Sequence, residues 1–79
     1  MTVTVLLFAE LRRHAGLDRL ELDLADPATV RSAAGRIEEQ LGAGRLSGAM
    51  CAVNERYADP ATPLRDGDVV AFLPPVSGG

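Results

Sequence analysis

Residues 63–79 read PLRDGDVVAFLPPVSGG, and the fold turns on how the middle of this stretch is read. Val69 to Leu73 is an unbroken apolar run rich in β-branched and aromatic side chains, which predicts a strand. Asp66-Gly67-Asp68 ahead of it is a turn signal. Pro74 and Pro75 behind it carry no N–H donor and cannot extend a ladder. A strand with no polar alternation belongs in the middle of a sheet, with neighbours on both sides. The rest of the chain has to supply those neighbours.

Residues 2–8, TVTVLLF, combine β-branched alternation with an apolar finish, and the continuous second half predicts burial on both faces, as in a second mid-sheet strand. AELRRHA at 9–15 holds good helix formers and meets Gly16, a C-terminal stop, so about two helical turns are expected. RLELDL at 19–24 alternates strictly, with Leu20, Leu22 and Leu24 on one face, and predicts a half-buried strand antiparallel to the first. DPAT at 26–29 opens the main helix, with Thr29 as N-cap and Asp26-Pro27 as the turn before it. Val30, Ala33, Ala34, Ile37 and Leu41 form its apolar stripe, Arg31, Arg36, Glu38 and Glu39 its solvent side, and Gly42 its end. Gly35 inside the helix is expected to cost about 1 kcal/mol relative to Ala, and the sequence alone does not show whether it serves a close approach to the sheet. AMCAVN at 49–54 predicts a third strand, and ERYADPATPLRDGD at 55–68 a loop.

One amphipathic helix covers one face of a sheet, so the expected class is α+β in two layers. The first and last strands are both centrally buried and therefore lie side by side, joined by a right-handed crossover. That order, with the second strand beside the first, is the β-grasp arrangement of ubiquitin. Residues 1–74 are expected to form this domain and residues 75–79 a flexible tail.

Composition removes several function classes. A chain of 79 residues that is 47% hydrophobic with a net charge of −3 is one folded domain. Its apolar runs fall far short of the roughly 20 residues that span a bilayer. No basic leader precedes the first apolar stretch, so a soluble, cytoplasmic protein is expected. All eight basic residues are arginine, scattered and without interleaved aromatics, which excludes a nucleic-acid surface. The lack of lysine also means that no side-chain amine here accepts an acyl group from the chain's own end.

Internal catalysis finds little support. Cys51 alternates with Ala49 and Val53 on one strand face and reads as a core thiol; a lone cysteine builds neither a disulfide nor a cysteine metal cluster. His14 stands alone near a helix end, where it complements the helix dipole. Asp66-Gly67-Asp68 lacks the further ligands of a calcium loop. No bound metal or cofactor is expected.

The end of the chain is the remaining candidate. With glycine at about 7% of residues, a Gly-Gly terminus arises by chance in roughly 0.5% of chains. The two prolines hold the chain extended, and Pro75 to Gly79 reaches at most about 17 Å. Gly78 and Gly79 leave the backbone bare, so the end fits a channel too narrow for a side chain. A carboxylate with a reference pKa of about 3.5 is ionised at neutral pH and must be activated before a nucleophile attacks it. The chain has no phosphate-binding loop, so ATP and the activating machinery are expected on a partner.

VTVLLFAELRR near the start, the Thr29-Val30-led helix, AVN at 52–54 and, above all, PLRDGDVVAFLPPVSGG at 63–79 resemble the small subunits of molybdopterin synthase, a ubiquitin-like sulfur-carrier family. The resemblance spans nearly the whole chain. It implies that a ubiquitin-activating-enzyme-like adenylyltransferase adenylates the Gly79 carboxylate and that a sulfur donor protein converts it to a thiocarboxylate. It further implies that the tail enters the large catalytic subunit, within a heterotetramer, and gives its sulfur to cyclic pyranopterin monophosphate. Gly79 would carry the sulfur and Gly78 give clearance. Phe72, Leu73, Pro74, Pro75, Val76 and Ser77 would dock partners, with Arg12 meeting the activating enzyme. Alternation sends only one of Phe72 and Leu73 to the core; either Leu6 and Phe8 or Val5 and Leu7 extend the docking patch. Two alternatives remain open: a carrier for thiamin thiazole formation or tRNA thiolation, and a ubiquitin-like interaction module that carries nothing.

Overall fold

The computed structural model describes residues 1–42, 46 and 48–73. The chain runs β1 (Thr2–Leu7), α1 (Ala9–Ala15), β2 (Arg19–Asp23), α2 (Val30–Leu41), β3 (Met50–Val53), β4 (Arg56–Ala58) and β5 (Val69–Leu73). The strands form one mixed sheet in the order β2-β1-β5-β3-β4, with β1 and β5 parallel and the other pairs antiparallel. The first and last strands therefore share the centre of a β-grasp sheet, as their apolar character requires. The boundary expected at residues 74–75, with the tail beyond it, lies outside the described residues.

Period-two geometry assigns the core. Val3, Val5 and Leu7 of β1, Leu22 of β2, Cys51 of β3 and Val70 and Phe72 of β5 point to one face, where they cluster with Val30, Ala33 and Ile37 of α2. Val5 lies opposite Val70 and Leu7 opposite Phe72, so the two central strands face the helix in register. The apolar finish of the first strand was expected to be buried on both sides. Among the described residues only one side is covered: Leu6 is half-buried and Phe8 is exposed. A two-layer domain has no second helix for that side, so its apolar residues form an open sheet face.

The helix ends follow local chemistry. Gly16 closes α1 with φ of 77°, and its N–H donates to Arg12 O at 2.9 Å. Thr29 caps α2 in a reciprocal box with Ser32. The first-turn N–H groups of Val30 and Arg31 donate to Thr62 O and Pro60 O, each at 3.0 Å, so the segment before β5 is laced to the start of the helix. One side-chain expectation for α2 changes, and one open point is decided. Glu38 is half-buried, and its Oε2 accepts from Leu46 N at 3.4 Å. Gly35 approaches nothing, because a Cβ built there has open space around it. Gly35→Ala is therefore expected to stabilise the domain by about 1 kcal/mol and raise the melting temperature by roughly 4–8 °C in a thermal unfolding scan.

The segment 55–68, expected as a loop, contains β4. Asn54 and Glu55 have φ of 49° and 71°, the left-handed pair of a two-residue hairpin turn that folds Arg56–Ala58 back onto β3. A three-residue edge strand leaves too short a period-two signal to separate from loop. Asn54 also ties this hairpin to β5. Its N–H donates to Val69 O at 2.8 Å, its Oδ1 accepts from Val69 N at 3.0 Å, and its Nδ2 donates to Asp68 Oδ1 at 2.9 Å. The Asp66-Gly67-Asp68 turn forms as expected. Asp66 Oδ1 accepts from Thr2 N at 2.7 Å and Asp68 Oδ2 from Arg65 N at 2.8 Å, which aligns β5 beside β1.

Candidate partner-docking face

The registers set out a row of residues on the sheet face away from α2. Arg19 lies opposite Leu6, Leu6 opposite Ala71, Ala71 opposite Ala52, and Ala52 opposite Tyr57, so the row crosses all five strands. Leu73 and Met50 pair in the next row toward the end of β5. The two alanines put little bulk at the centre, leaving a shallow trough bordered by Phe8, Leu73, Tyr57 and Glu55. Phe8 is 44% exposed and Tyr57 76%, values too high for residues serving a core. Contiguous apolar patches that carry exposed aromatics are the kind of surface that protein contacts use.

The structure divides the expected docking residues between the two faces. Phe72 is 3% exposed and belongs to the core, so its side chain is not offered to a partner. Leu73 is the member of the pair that reaches the open face. Leu6 and Phe8 extend the patch, whereas Val5 and Leu7 are core residues. Arg12 is exposed on α1 and lines a shallow depression with Leu6, Phe8, Asp18 and Arg19, at the flank of the patch. Pro74, Pro75, Val76, Ser77, Gly78 and Gly79 lie outside the described residues. Sequence reading missed Tyr57, Met50 and Arg19. Tyr57 was hidden by the loop assignment of β4; Met50 and Arg19 needed strand register, which one sequence does not contain.

Cys51 lies opposite Phe72 and Ala58 on the core face, 8% exposed, and burial pushes its thiol up to about 11. Among the described residues no group of three His, Cys, Asp or Glu side chains is placed to hold a metal ion. No described helix is long and apolar enough to cross a membrane. The arrangement is a small body with one apolar face, and β5 runs from the middle of that face toward the end of the chain.

Known proteins share this arrangement. The model of the ThiS family matches residues 5–79. The molybdopterin synthase sulfur carrier subunit of Escherichia coli is 38% identical over 98% of this chain and 99% of its own length, and that of Chlamydomonas reinhardtii is 34% identical over the full length of both. SAMP1 from Haloferax volcanii superposes with a TM-score of 0.88 at 27% identity over all of both chains. A structure from a complex of subunits 1 and 2 of the molybdopterin-converting factor of Helicobacter pylori matches with a TM-score of 0.73 at 28% identity, again over all of both chains. The chain belongs to the ThiS family and, within it, groups with the sulfur carrier subunits of molybdopterin synthase.

Proposed function

We propose that the chain delivers sulfur for molybdenum cofactor assembly on the carboxyl group of Gly79. The observation that carries this reading is the continuity of the open apolar face with β5, whose sequence continues into Pro-Pro-Val-Ser-Gly-Gly. In the cytoplasm, a ubiquitin-activating-enzyme-like adenylyltransferase spends ATP to convert the terminal carboxylate to an acyl-adenylate. The terminal sulfur of a persulfide on a sulfur donor protein then displaces AMP to give an acyl disulfide, and a partner thiol cleaves its S–S bond, which leaves a thiocarboxylate on Gly79 and a disulfide on the partner. Attack at this carbon needs a good leaving group because the free carboxylate is anionic and unreactive. This chain brings the reactive atom and the docking face; the nucleotide site and the pterin site belong to its partners.

The large catalytic subunit seats on Leu6, Phe8, Ala52, Tyr57, Ala71 and Leu73 and receives the tail in its active site, where the sulfur passes to cyclic pyranopterin monophosphate. The Helicobacter pylori complex of subunits 1 and 2 supports a two-subunit assembly of this type. Bare Gly78 and Gly79 permit the approach, since any Cβ near the acyl carbon adds bulk in the channel. Arg12 and Arg19, exposed at the flank, suit acidic residues on the activating enzyme, and pairs on such a rim set encounter rate more than affinity.

Reconstitution tests the pathway. Thiocarboxylated chain, the large subunit and the cyclic pterin are expected to yield molybdopterin, whereas the unloaded chain yields none. Loading followed by sulfur transfer only to a thiazole precursor or to tRNA would assign the carrier to another pathway.

A further inference from the structure

A cavity of about 510 Å³ opens between α2 and the β3-β4 edge, on the helix side of the sheet and apart from the trough on the open face. Its deepest members are core residues: Val30, Cys51 and Phe72 are buried, yet each lines it. Ala34, Ala49 and Ala58 wall it with single methyl groups, so helix and sheet do not close on each other there. Arg31, Met50 and Tyr57, all exposed, stand at its mouth. Small-molecule sites are clefts of about 300–1,000 Å³ with mostly apolar walls and a few placed polar groups. Water fills such a space poorly, because a bound water needs about two to four polar partners.

The charge at the mouth selects the ligand. Arg31 is the one charged side chain in the described lining, and no carboxylate stands with it. Arg36 pairs with Glu39 at 3.7 Å, whereas Arg31 has no ion pair among the described residues. Arg31 N donates to Pro60 O at 3.0 Å, and Pro60 also lines the cavity, so the root of the guanidinium is fixed beside it. A guanidinium presents parallel N–H donors that match a carboxylate. Met50 adds an unbranched, adaptable wall that conforms to an apolar chain.

We propose that this cavity binds a small amphipathic acid. The apolar part of the ligand lies between α2 and β3 against Cys51 and Phe72, and its carboxylate meets the Arg31 guanidinium at the mouth. A neutral head group forgoes that pair, and an ammonium is repelled by it. The site is separate from the proposed sulfur transfer, and its test uses no partner protein.

The full chain is titrated with octanoate, octan-1-ol and octylammonium and followed by amide shifts in two-dimensional NMR. Octanoate is expected to bind with a dissociation constant below about 1 mM, with shifts centred on Ala34, Ala49, Cys51 and Ala58. Octan-1-ol should bind more weakly and octylammonium most weakly. Arg31→Gln is expected to lower octanoate affinity about three- to fivefold and to leave octan-1-ol unchanged. Ala34→Leu, which fills the cavity from the helix, should abolish binding of both. Cys51 reports occupancy independently: at about ten times the dissociation constant, octanoate should slow its alkylation about tenfold. Equal affinity for the three head groups would overturn the proposal, as would shifts centred on Leu6, Ala71 and Leu73. A Pro-Pro-Val-Ser-Gly-Gly peptide that displaces octanoate at equal concentration would assign the cavity to a chain end instead and would also overturn it.

Discussion

Deletion of Gly79 is expected to lower sulfur transfer by at least about a hundredfold while leaving the unfolding midpoint unchanged. The shortened chain still ends in a glycine carboxylate, so the chemical group survives; what changes is its position, by about 3.5 Å. A displacement of about 1 Å in a positioned reaction already costs about a hundredfold in rate, so the retracted end lies well beyond productive range. Among the described residues the last member of the core is Phe72, and the deletion removes none of them. Stability should therefore stay within about 0.5 kcal/mol. Rates come from single-turnover transfer to the pterin and stability from denaturant unfolding. Near-normal transfer by the shortened chain would remove Gly79 from the mechanism.

The second large effect separates two adjacent residues. Phe72→Ala is expected to cost about 3–5 kcal/mol, because it empties a site enclosed by Leu7, Cys51 and the helix face. A domain of 79 residues has about 4–12 kcal/mol in total, so the loss removes from about a quarter to all of it. Leu73→Ala, one position on, removes a half-buried side chain from the open face and is expected to cost about 1 kcal/mol of stability. Its main effect falls on binding to the large subunit, weakened by about 5- to 30-fold if Leu73 anchors the interface. Urea titration and isothermal calorimetry resolve the two. The opposite pattern, a stable Phe72→Ala that fails to bind and an unstable Leu73→Ala that binds, would reverse the face assignment.

That pair shows what one sequence holds and what it withholds. Period-two alternation states that Phe72 and Leu73 point oppositely, and it states the same for Leu6 and Leu7, but not which of each faces the helix. The choice is made by the pairing of Val5 with Val70 and of Leu7 with Phe72 beneath α2. The α1 limits and the Thr29 cap were legible because glycine stops and hydroxyl caps act over three or four residues. β4 was not, since three residues opened by a left-handed Asn54-Glu55 turn give no periodic run, and with it went Tyr57. Gly35 stayed open for a related reason: glycine permits a close approach, but only the surrounding atoms decide whether one occurs. The proposed docking face is built from residues far apart in sequence, and only strand order β2-β1-β5-β3-β4 collects them.

The carrier reading reduces to one atom exchange. Incubation of the chain with an active adenylyltransferase of this family, ATP and a sulfur donor is followed by intact mass and fragmentation. The expected result is a mass gain equal to sulfur replacing one oxygen, located on Gly79 and dependent on ATP. An unchanged mass beside a control carrier that loads under the same conditions, or sulfur found on Cys51 instead, would contradict it.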